Sequence, residues 1–117
     1  GHLAGSRALV EAAGVIRSSA RETDVVARFG GDEFSLVLPD TDQVGAMAVA
    51  GRILERLRAF VFLQGEGLAL RLTASIGVST LPDAADSAEE LLRSADTAMY
   101  RVKDAGGDGI QVAERNT

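Results

Sequence analysis

The sequence contains no cysteine and few histidine, proline and aromatic residues. Its 117 residues include no cysteine or tryptophan, one histidine, one tyrosine and two prolines. Without cysteine there is no thiol nucleophile, no disulfide and no cysteine-ligated metal centre. His2 has no second histidine to join it, so a zinc site is not expected. These absences exclude several classes of catalytic and metal site.

Long apolar runs are missing as well. No apolar stretch reaches the roughly 18 residues of a membrane span, and the first residues lack the basic segment of a signal peptide. The composition is otherwise that of a folded globular chain, with 46% hydrophobic and 25% charged residues. A length of 117 residues corresponds to a single domain.

Basic charge is in the minority. The 12 lysines and arginines face 17 aspartates and glutamates, which gives a net charge of −5. This balance argues against non-specific binding to nucleic acid, which requires a basic surface. It does not exclude a nucleotide, because a few well-placed cations or a metal ion can hold one triphosphate. Every basic residue except Lys103 is an arginine, the side chain that binds phosphates and base edges through two parallel hydrogen bonds.

Hydrophobic periodicity predicts seven elements in the order αββαβαβ. An apolar stripe with helical spacing covers residues 3–20. Two β-prone segments, 25–29 and 34–38, flank a Gly-Gly pair and predict a β-hairpin. The remaining elements are predicted as a helix over roughly 43–61, a half-buried strand over 68–80, a helix from 87 to about 104 and a strand over 110–113. This order indicates an α+β fold with a mainly antiparallel sheet covered by helices.

Capping residues and apolar stripes define the two later helices more closely. The segment Pro39–Asp42 offers N-caps for the second helix, and Ser87 with Glu90 forms a capping box for the third. The predicted apolar set of the second helix comprises Val44, Met47, Ala48, Ile53, Leu54, Leu57 and Phe60. The predicted buried stripe of the third helix comprises Leu91, Leu92, Ala95, Ala98, Met99 and Val102.

The turn of the predicted hairpin is the first candidate site. Gly30 and Gly31 carry no Cβ, so a ligand can approach the backbone closely. Asp32 and Glu33 follow at once, and adjacent carboxylates are costly to bring together unless a cation lies beside them. Mg²⁺ suits such a pair, because it binds carboxylate oxygens and keeps positions for water and substrate phosphates. From the spacing alone, a solvated hairpin turn is the favoured interpretation of these four residues.

Two further candidates involve basic side chains. Arg21 can bind the edge of a guanine or a phosphate, and Asp24 can accept a hydrogen bond from a guanine. The same two residues also fit a cation at a helix end followed by a turn aspartate. Lys103, near the end of the last helix, can contact a phosphate or complement the helix dipole.

Four blocks of the sequence, in register, resemble the GGDEF domain of the diguanylate cyclase family. The hairpin block is RFGGDEFSLVLPDTD, over residues 28–42. The others are GHLAGSRALVEAAG at 1–14, LTASIGVST at 72–80 and SAEELLRSADTAMYRVKDAGGDGI at 87–110. The resemblance covers all 117 residues in order, without large insertions.

The resemblance implies a palm-like domain related to nucleotide cyclases and polymerases, of ferredoxin-like type. The activity it implies is the condensation of two GTP into cyclic di-GMP, with Mg²⁺ or Mn²⁺ and loss of two pyrophosphates. Because each domain binds one GTP, two copies must meet as a homodimer. The expected setting is the cytoplasm, including the cytoplasmic part of a membrane-anchored sensor, with a sensory or receiver domain upstream. Neither nucleic acid nor membrane is an expected partner.

The resemblance also assigns roles by position. Asp32 and Glu33 would be catalytic and would bind metal, while Gly30, Gly31 and Lys103 would bind substrate. The remaining positions match the family's RxxD product-inhibition site and its secondary arginine; they are Arg21, Asp24 and Arg52.

Three departures from the family pattern leave other functions open. The family has a strand with a metal-binding Asp and a guanine-binding Asn before the position of Gly1, so residues 1–117 are expected to be an N-terminally truncated GGDEF domain. Ser6 stands where the family has a guanine-binding Asp, and Gly107 stands where it has a phosphate-binding Arg. The alternatives are a non-catalytic cyclic di-GMP receptor acting through Arg21 and Asp24, and a degenerate GTP-binding module that regulates a neighbour.

Overall fold

The computed structural model describes residues 2–30 and 33–115, with the side chains described over 5–26 and 33–115. The elements follow the predicted order αββαβαβ, and the α+β fold class is confirmed. The helices are α1 (His2–Ser19), α2 (Gln43–Ala59) and α3 (Ala88–Asp104). The strands are β1 (Val25–Gly30), β2 (Glu33–Val37), β3 (Ser75–Val78) and β4 (Gly109–Val112). A short 3₁₀ turn covers Gln64–Glu66.

The four strands of the described ranges form two separate two-stranded sheets. Strands β1 and β2 make the predicted antiparallel hairpin, in a register that runs from Val25 opposite Val37 to Gly30 opposite Glu33. Strands β3 and β4 pair in parallel. The parallel pairing arises because α3 crosses between β3 and β4 and returns the chain to the same end of the sheet. The predicted antiparallel arrangement therefore holds for the hairpin.

The main core lies between α1, α2 and the two sheets. Its buried members are Ala8, Ala12, Val15, Ile16, Ile53, Leu57, Phe62 and Leu63. Partly buried side chains from both sheets pack against it, among them Val26 and Leu36 of the hairpin and Ile76 of β3. This apolar burial stabilises the positions of the hairpin and of the β3–β4 pair on the same pair of helices.

Helix α3 lies unusually close to β3 at one residue. A Cβ atom built on Gly77 would lie 1.9 Å from the carbonyl oxygen of Ala95 and 2.6 Å from the amide nitrogen of Met99. Only glycine fits at such a separation, since real Cβ atoms do not approach backbone atoms this closely. The contact fixes the distance between the sheet and the helix that carries Lys103.

The predicted helix caps are confirmed. Asp42 is the N-cap of α2, and its side chain accepts a hydrogen bond of 2.8 Å from the amide of Gly45. Ser87 caps α3 by accepting from the amide of Glu90 at 3.2 Å. The Glu90 carboxylate accepts from the amide of Asp86. Both helices therefore begin where the sequence predicts, because these side chains satisfy amides left unpaired in the first turn.

The predicted strand over 68–80 is wrong in its first half. The ladder covers only Ser75–Val78, and the side chains of Leu68 and Leu70, 42% and 36% exposed, do not enter the core. Leu70 instead pairs at an isolated bridge with Phe62. Alternating residues form a continuous strand only where a partner strand runs beside them, and here the partner β4 begins opposite Ser75.

The second helix and two apolar stripes also need correction. Helix α2 ends at Ala59 rather than at 61. At this end Arg71 donates hydrogen bonds to the carbonyls of Arg58 and Ala59, which have no partner within the helix. Val44 of α2 and Leu92 of α3 are exposed, not buried. The small residues Ala46 and Ala50 of α2 form a second buried cluster with Val78 of β3. The buried stripe of α2 is therefore narrower than hydrophobicity alone predicts.

Candidate functional site

The turn end of the hairpin carries one predicted acid, Glu33, within the described residues. Glu33 is the first residue of β2 and pairs with Gly30, the last residue of β1, just after a shift of register that follows Arg28. Such shifts bend a strand and re-aim its side chains, and they are common beside functional sites. The predicted residues Gly31 and Asp32 lie outside the described residues.

The Glu33 carboxylate contacts α3. The hydroxyl of Tyr100 donates a hydrogen bond of 2.9 Å to Oε1 of Glu33, across 67 positions of sequence. Glu33 is half-buried, and Tyr100 is 45% exposed. A hydrogen bond to a carboxylate is stronger than one between neutral groups. The contact therefore ties the end of the hairpin to the exposed face of α3.

Lys103 contacts the ring of the same tyrosine. Its Nζ is 5.1 Å from the centroid of the Tyr100 ring, a cation–π distance. The two side chains are neighbours on α3 because they are three residues apart on a helix. Tyr100 thus contacts two predicted site residues, the acid Glu33 and the cation Lys103. The sequence reasoning missed it, although its helical spacing from Lys103 was a signal that could have found it.

The chemistry of the hairpin fits a hard divalent cation. Mg²⁺ takes carboxylate oxygens, and Glu33 offers two, of which Tyr100 binds one. Within the described part of the chain, no three acidic or histidine side chains gather into a metal-binding group. Glu33 is therefore the one predicted metal ligand among the described residues, and the adjacent Asp32 is the predicted second ligand.

The predicted pair Arg21 and Asp24 lies at the opposite end of the hairpin and is in direct contact. Nη2 of Arg21 lies 2.9 Å from Oδ1 of Asp24, and the Arg21 backbone amide donates to Oδ2 at 2.7 Å. The Arg21 side chain is 55% exposed, whereas the Asp24 side chain is 1% exposed. Only the arginine therefore presents itself to a ligand. Asp24 holds the guanidinium of Arg21. Its carboxylate is too buried to accept a hydrogen bond from a guanine edge, which is the role that the sequence suggested for it.

Hydrogen bonding within the pair shifts both pKa values in the direction that keeps the charges. The Arg21 guanidinium, and then its backbone amide, lower the pKa of Asp24 below its ordinary value. The hydrogen bond to Asp24 raises the pKa of Arg21 further. The pair is therefore charged at every physiological pH.

Arg21 is also anchored to the start of α2. Its Nη2 donates to the carbonyl of Pro39 at 2.9 Å and to the hydroxyl of Thr41 at 2.7 Å. Arg52, the third predicted member of this site, is exposed on α2, about 15 Å along the helix from the N-cap Asp42 at 1.5 Å per residue. Among the described side chains, none forms an ion pair with Arg52. The structure brings Arg21 and Asp24 together, and no described contact links Arg52 to them.

The loop after α3 contains one of the positions at which the sequence departs from the family pattern. Gly107 has a φ of +80°, in the left-handed region where an arginine would be strained. The next residue is Asp108, and its Oδ1 lies 2.7 Å from Nε of Arg58. Ser6, the other departure within this chain, is exposed on α1. The backbone of this loop therefore favours the glycine found there.

A shallow cavity of about 320 Å³ lies between α1 and α2, away from both candidate sites. It is lined by Glu11, Gly14, Val15, Ser18, Arg56 and Phe60. None of the candidate site residues predicted from the sequence lines it. In the described ranges, no helix has the length and apolar character required to cross a membrane.

A comparison with family models decides the relationship. Residues 1–109 match the model described as "Diguanylate cyclase, GGDEF domain". The chain belongs to the GGDEF family. This GGDEF domain is 39% identical over 114 residues to the probable diguanylate cyclase DgcE of Escherichia coli. It is 36% identical over 116 residues to diguanylate cyclase A of Treponema denticola.

The matched region is a small part of those relatives. It covers 97% of this chain but 10% of DgcE, and 99% of this chain but 31% of diguanylate cyclase A. Among solved structures, the fold of this GGDEF domain is similar to that of the GGDEF domain of YfiN, also called TpbB, from Pseudomonas aeruginosa. That match has a TM-score of 0.88 at 37% identity and covers 99% of this chain and 72% of the other.

Proposed function

We propose that this GGDEF domain is a diguanylate cyclase domain that condenses two GTP into cyclic di-GMP. Curated relatives carry the name diguanylate cyclase over nearly the whole of this chain. The observation that carries the proposal is the placement of Glu33 and Lys103 on one tyrosine. An acid that binds a cation and an ammonium that binds phosphate are the two charges a nucleoside triphosphate requires.

Each hairpin residue has a role in this proposal. Asp32 and Glu33 would hold Mg²⁺ or Mn²⁺ through their carboxylates. When bound, the divalent ion would neutralise phosphate charge and lower the barrier to attack by the 3′-hydroxyl. Gly30 and Gly31, having no side chains, would let the nucleotide lie against the backbone. Lys103 would bind the phosphates.

The stoichiometry of the reaction determines how many copies of the domain must assemble. One domain offers one GTP site, and cyclic di-GMP contains two phosphodiester bonds, each made by the 3′-hydroxyl of one nucleotide at the α-phosphate of the other. We therefore infer a homodimer in which two sites face each other. A sensory or receiver domain elsewhere in the protein would control their meeting, and the GTP substrate would place the reaction in the cytoplasm.

Substitution of Lys103 tests the phosphate contact. In the full-length protein, Lys103→Met should lower kcat/KM for GTP at least about tenfold, because a charge-assisted contact to phosphate is lost. The matched control is Arg93→Met, which removes another exposed cation from α3, one that pairs with Glu89. Initial rates of cyclic di-GMP formation measure both. Equal kcat/KM in the two variants would remove Lys103 from the site.

A second candidate function, a cyclic di-GMP receptor, is favoured by the Arg21 site. Of the predicted site Arg21, Asp24 and Arg52, the two arginines would bind the product and Asp24 would orient Arg21, with cyclic di-GMP acting as inhibitor in an active cyclase or as signal in an inactive domain. In support, the exposed guanidinium of Arg21 is already oriented by Asp24 and Thr41. Calorimetry should show that Arg21→Ala weakens cyclic di-GMP binding about tenfold or more, the scale of one hydrogen bond to a charged group. Unchanged affinity would contradict the assignment.

A further inference from the structure

We propose that Tyr100 is a positioning residue that sets the spacing between the Glu33 carboxylate and the Lys103 ammonium. The inference rests on the proposed cyclase function and deepens it. It is carried by two contacts of one side chain, the hydroxyl with Glu33 at 2.9 Å and the ring face with Lys103 at 5.1 Å. Tyr100 is the only tyrosine of the sequence.

The hydroxyl contact fixes a flexible acid. Glutamate has three rotatable side-chain bonds, and the hairpin backbone orients only the first of them. With its proton donated to Oε1, Tyr100 selects one arrangement of the Glu33 carboxylate and turns it toward α3. Pre-oriented groups gain rate because no rearrangement is needed when the substrate reacts.

The ring contact keeps two opposite charges apart. Glu33 and Lys103 both contact Tyr100, yet the described side chains show no ion pair between them. A direct ion pair would neutralise both groups and remove them from cation and phosphate. The neutral tyrosine satisfies each one, through a hydrogen bond and a cation–π contact, and leaves the charges available.

The position of Tyr100 is set by the packing of α3. Its neighbour Met99 lies against Gly77 of β3, and Ala98 and Val102 on the same helix are buried. The phenol itself is 45% exposed and lies outside the core clusters. Removal of the hydroxyl should therefore leave the fold intact and alter the site alone.

Two substitutions in the full-length protein separate the contacts. Tyr100→Phe keeps the ring and should lower kcat about tenfold while KM for GTP changes less than about threefold, since one hydrogen bond to a carboxylate is lost. Tyr100→Leu also removes the ring and should in addition raise KM, because Lys103 loses its orientation. The control is Thr97→Val, which removes an exposed hydroxyl from α3 that bonds only the carbonyl of Arg93.

A double-mutant cycle shows whether Tyr100 acts through Glu33. In the background of Glu33→Gln, Tyr100→Phe should lower kcat by less than about threefold, well below its effect alone. Equal effects in both backgrounds, or wild-type kcat in Tyr100→Phe with an unchanged melting temperature, would overturn the inference while the cyclase function stands. Absence of GTP turnover in the unmodified protein would overturn the proposed function and this inference together.

Discussion

Arg21 and Asp24 form a charged pair in which the two side chains are unequally buried and therefore have different roles. The carboxylate is covered and receives both the guanidinium and the backbone amide of Arg21. The guanidinium remains half exposed and reaches Thr41 and Pro39 as well. Arg21 is therefore the residue that a ligand meets, and Asp24 is the residue that orients it.

The same pair predicts a dependence of stability on pH. Because the pKa of Asp24 is lowered in the folded protein, its contribution is present above the unfolded pKa of about 3.9 and is lost as the pH falls through the folded value. Asp24→Asn should therefore be less stable than the unmodified protein at pH 7, and the difference should shrink below about pH 4. Urea unfolding at a series of pH values measures it.

A second pair serves as the control for that series. Arg115 lowers the pKa of Asp86 through a hydrogen bond of the same kind, far from Arg21 in sequence. Asp86→Asn should lose its own contribution over the same pH range and leave that of Asp24 in place. A stability difference for Asp24→Asn that stays constant from pH 7 to pH 3 would contradict the account of the pair.

Residue types and spacing predicted part of each site. Glycine next to paired acids indicated the hairpin mouth, and a three-residue interval indicated Arg21 and Asp24. The hydroxyl contact of Tyr100 with Glu33 joins positions 67 residues apart, and no local pattern encodes such a distance. The hydrogen bonds of Arg21 to Pro39 and Thr41 likewise join positions 18 and 20 residues apart.

At the scale of elements, α3 is the part of the fold on which the candidate site depends. It carries Tyr100 and Lys103 and is held against β3 at Gly77. Its two contacts with the site lie on the exposed side, while Ala98 and Val102 face the interior. A change in the separation of α3 from β3 should therefore disturb both stability and site geometry.

Gly77→Ala tests that packing. The added methyl would overlap backbone atoms of Ala95 and Met99, so the free energy of unfolding should fall by about 1–3 kcal/mol or more. The matched control is Gly51→Ala in the interior of α2, where no atom beyond the chain neighbours and the helix's own backbone lies within 4 Å of the new Cβ. Alanine there should stabilise by up to about 1 kcal/mol. Urea unfolding measures the free energy of unfolding of both variants. Equal values for Gly77→Ala and the unmodified protein would contradict the close contact between α3 and β3.

Element boundaries follow from the sequence where a side chain caps an end. The starts of α2 and α3 were predictable from Asp42 and Ser87, because capping is local. The strand over 68–80 was overestimated, because alternation shows which side chains suit a sheet but not where a partner strand begins. The parallel pairing of β3 with β4 depends on the crossover through α3, a matter of topology rather than of periodicity.

At the scale of the whole molecule, α1, α2 and the two small sheets pack around the main core and α3 packs against β3, with the candidate sites at opposite ends of the hairpin. Glu33 lies at the end that contacts α3, and Arg21 lies at the end that contacts the start of α2. The two candidate sites therefore share no described contact and are joined by the strands of the hairpin.

The most direct measurement of the account is the initial rate of cyclic di-GMP formation from GTP and Mg²⁺ by the full-length protein, over a range of protein concentrations. We expect two pyrophosphates per cyclic di-GMP, a rate per protomer that rises with protein concentration because two sites must meet, and loss of activity of at least about a hundredfold in Asp32→Asn. Full activity in that variant would contradict the account, as would an unmodified protein that binds cyclic di-GMP but forms none.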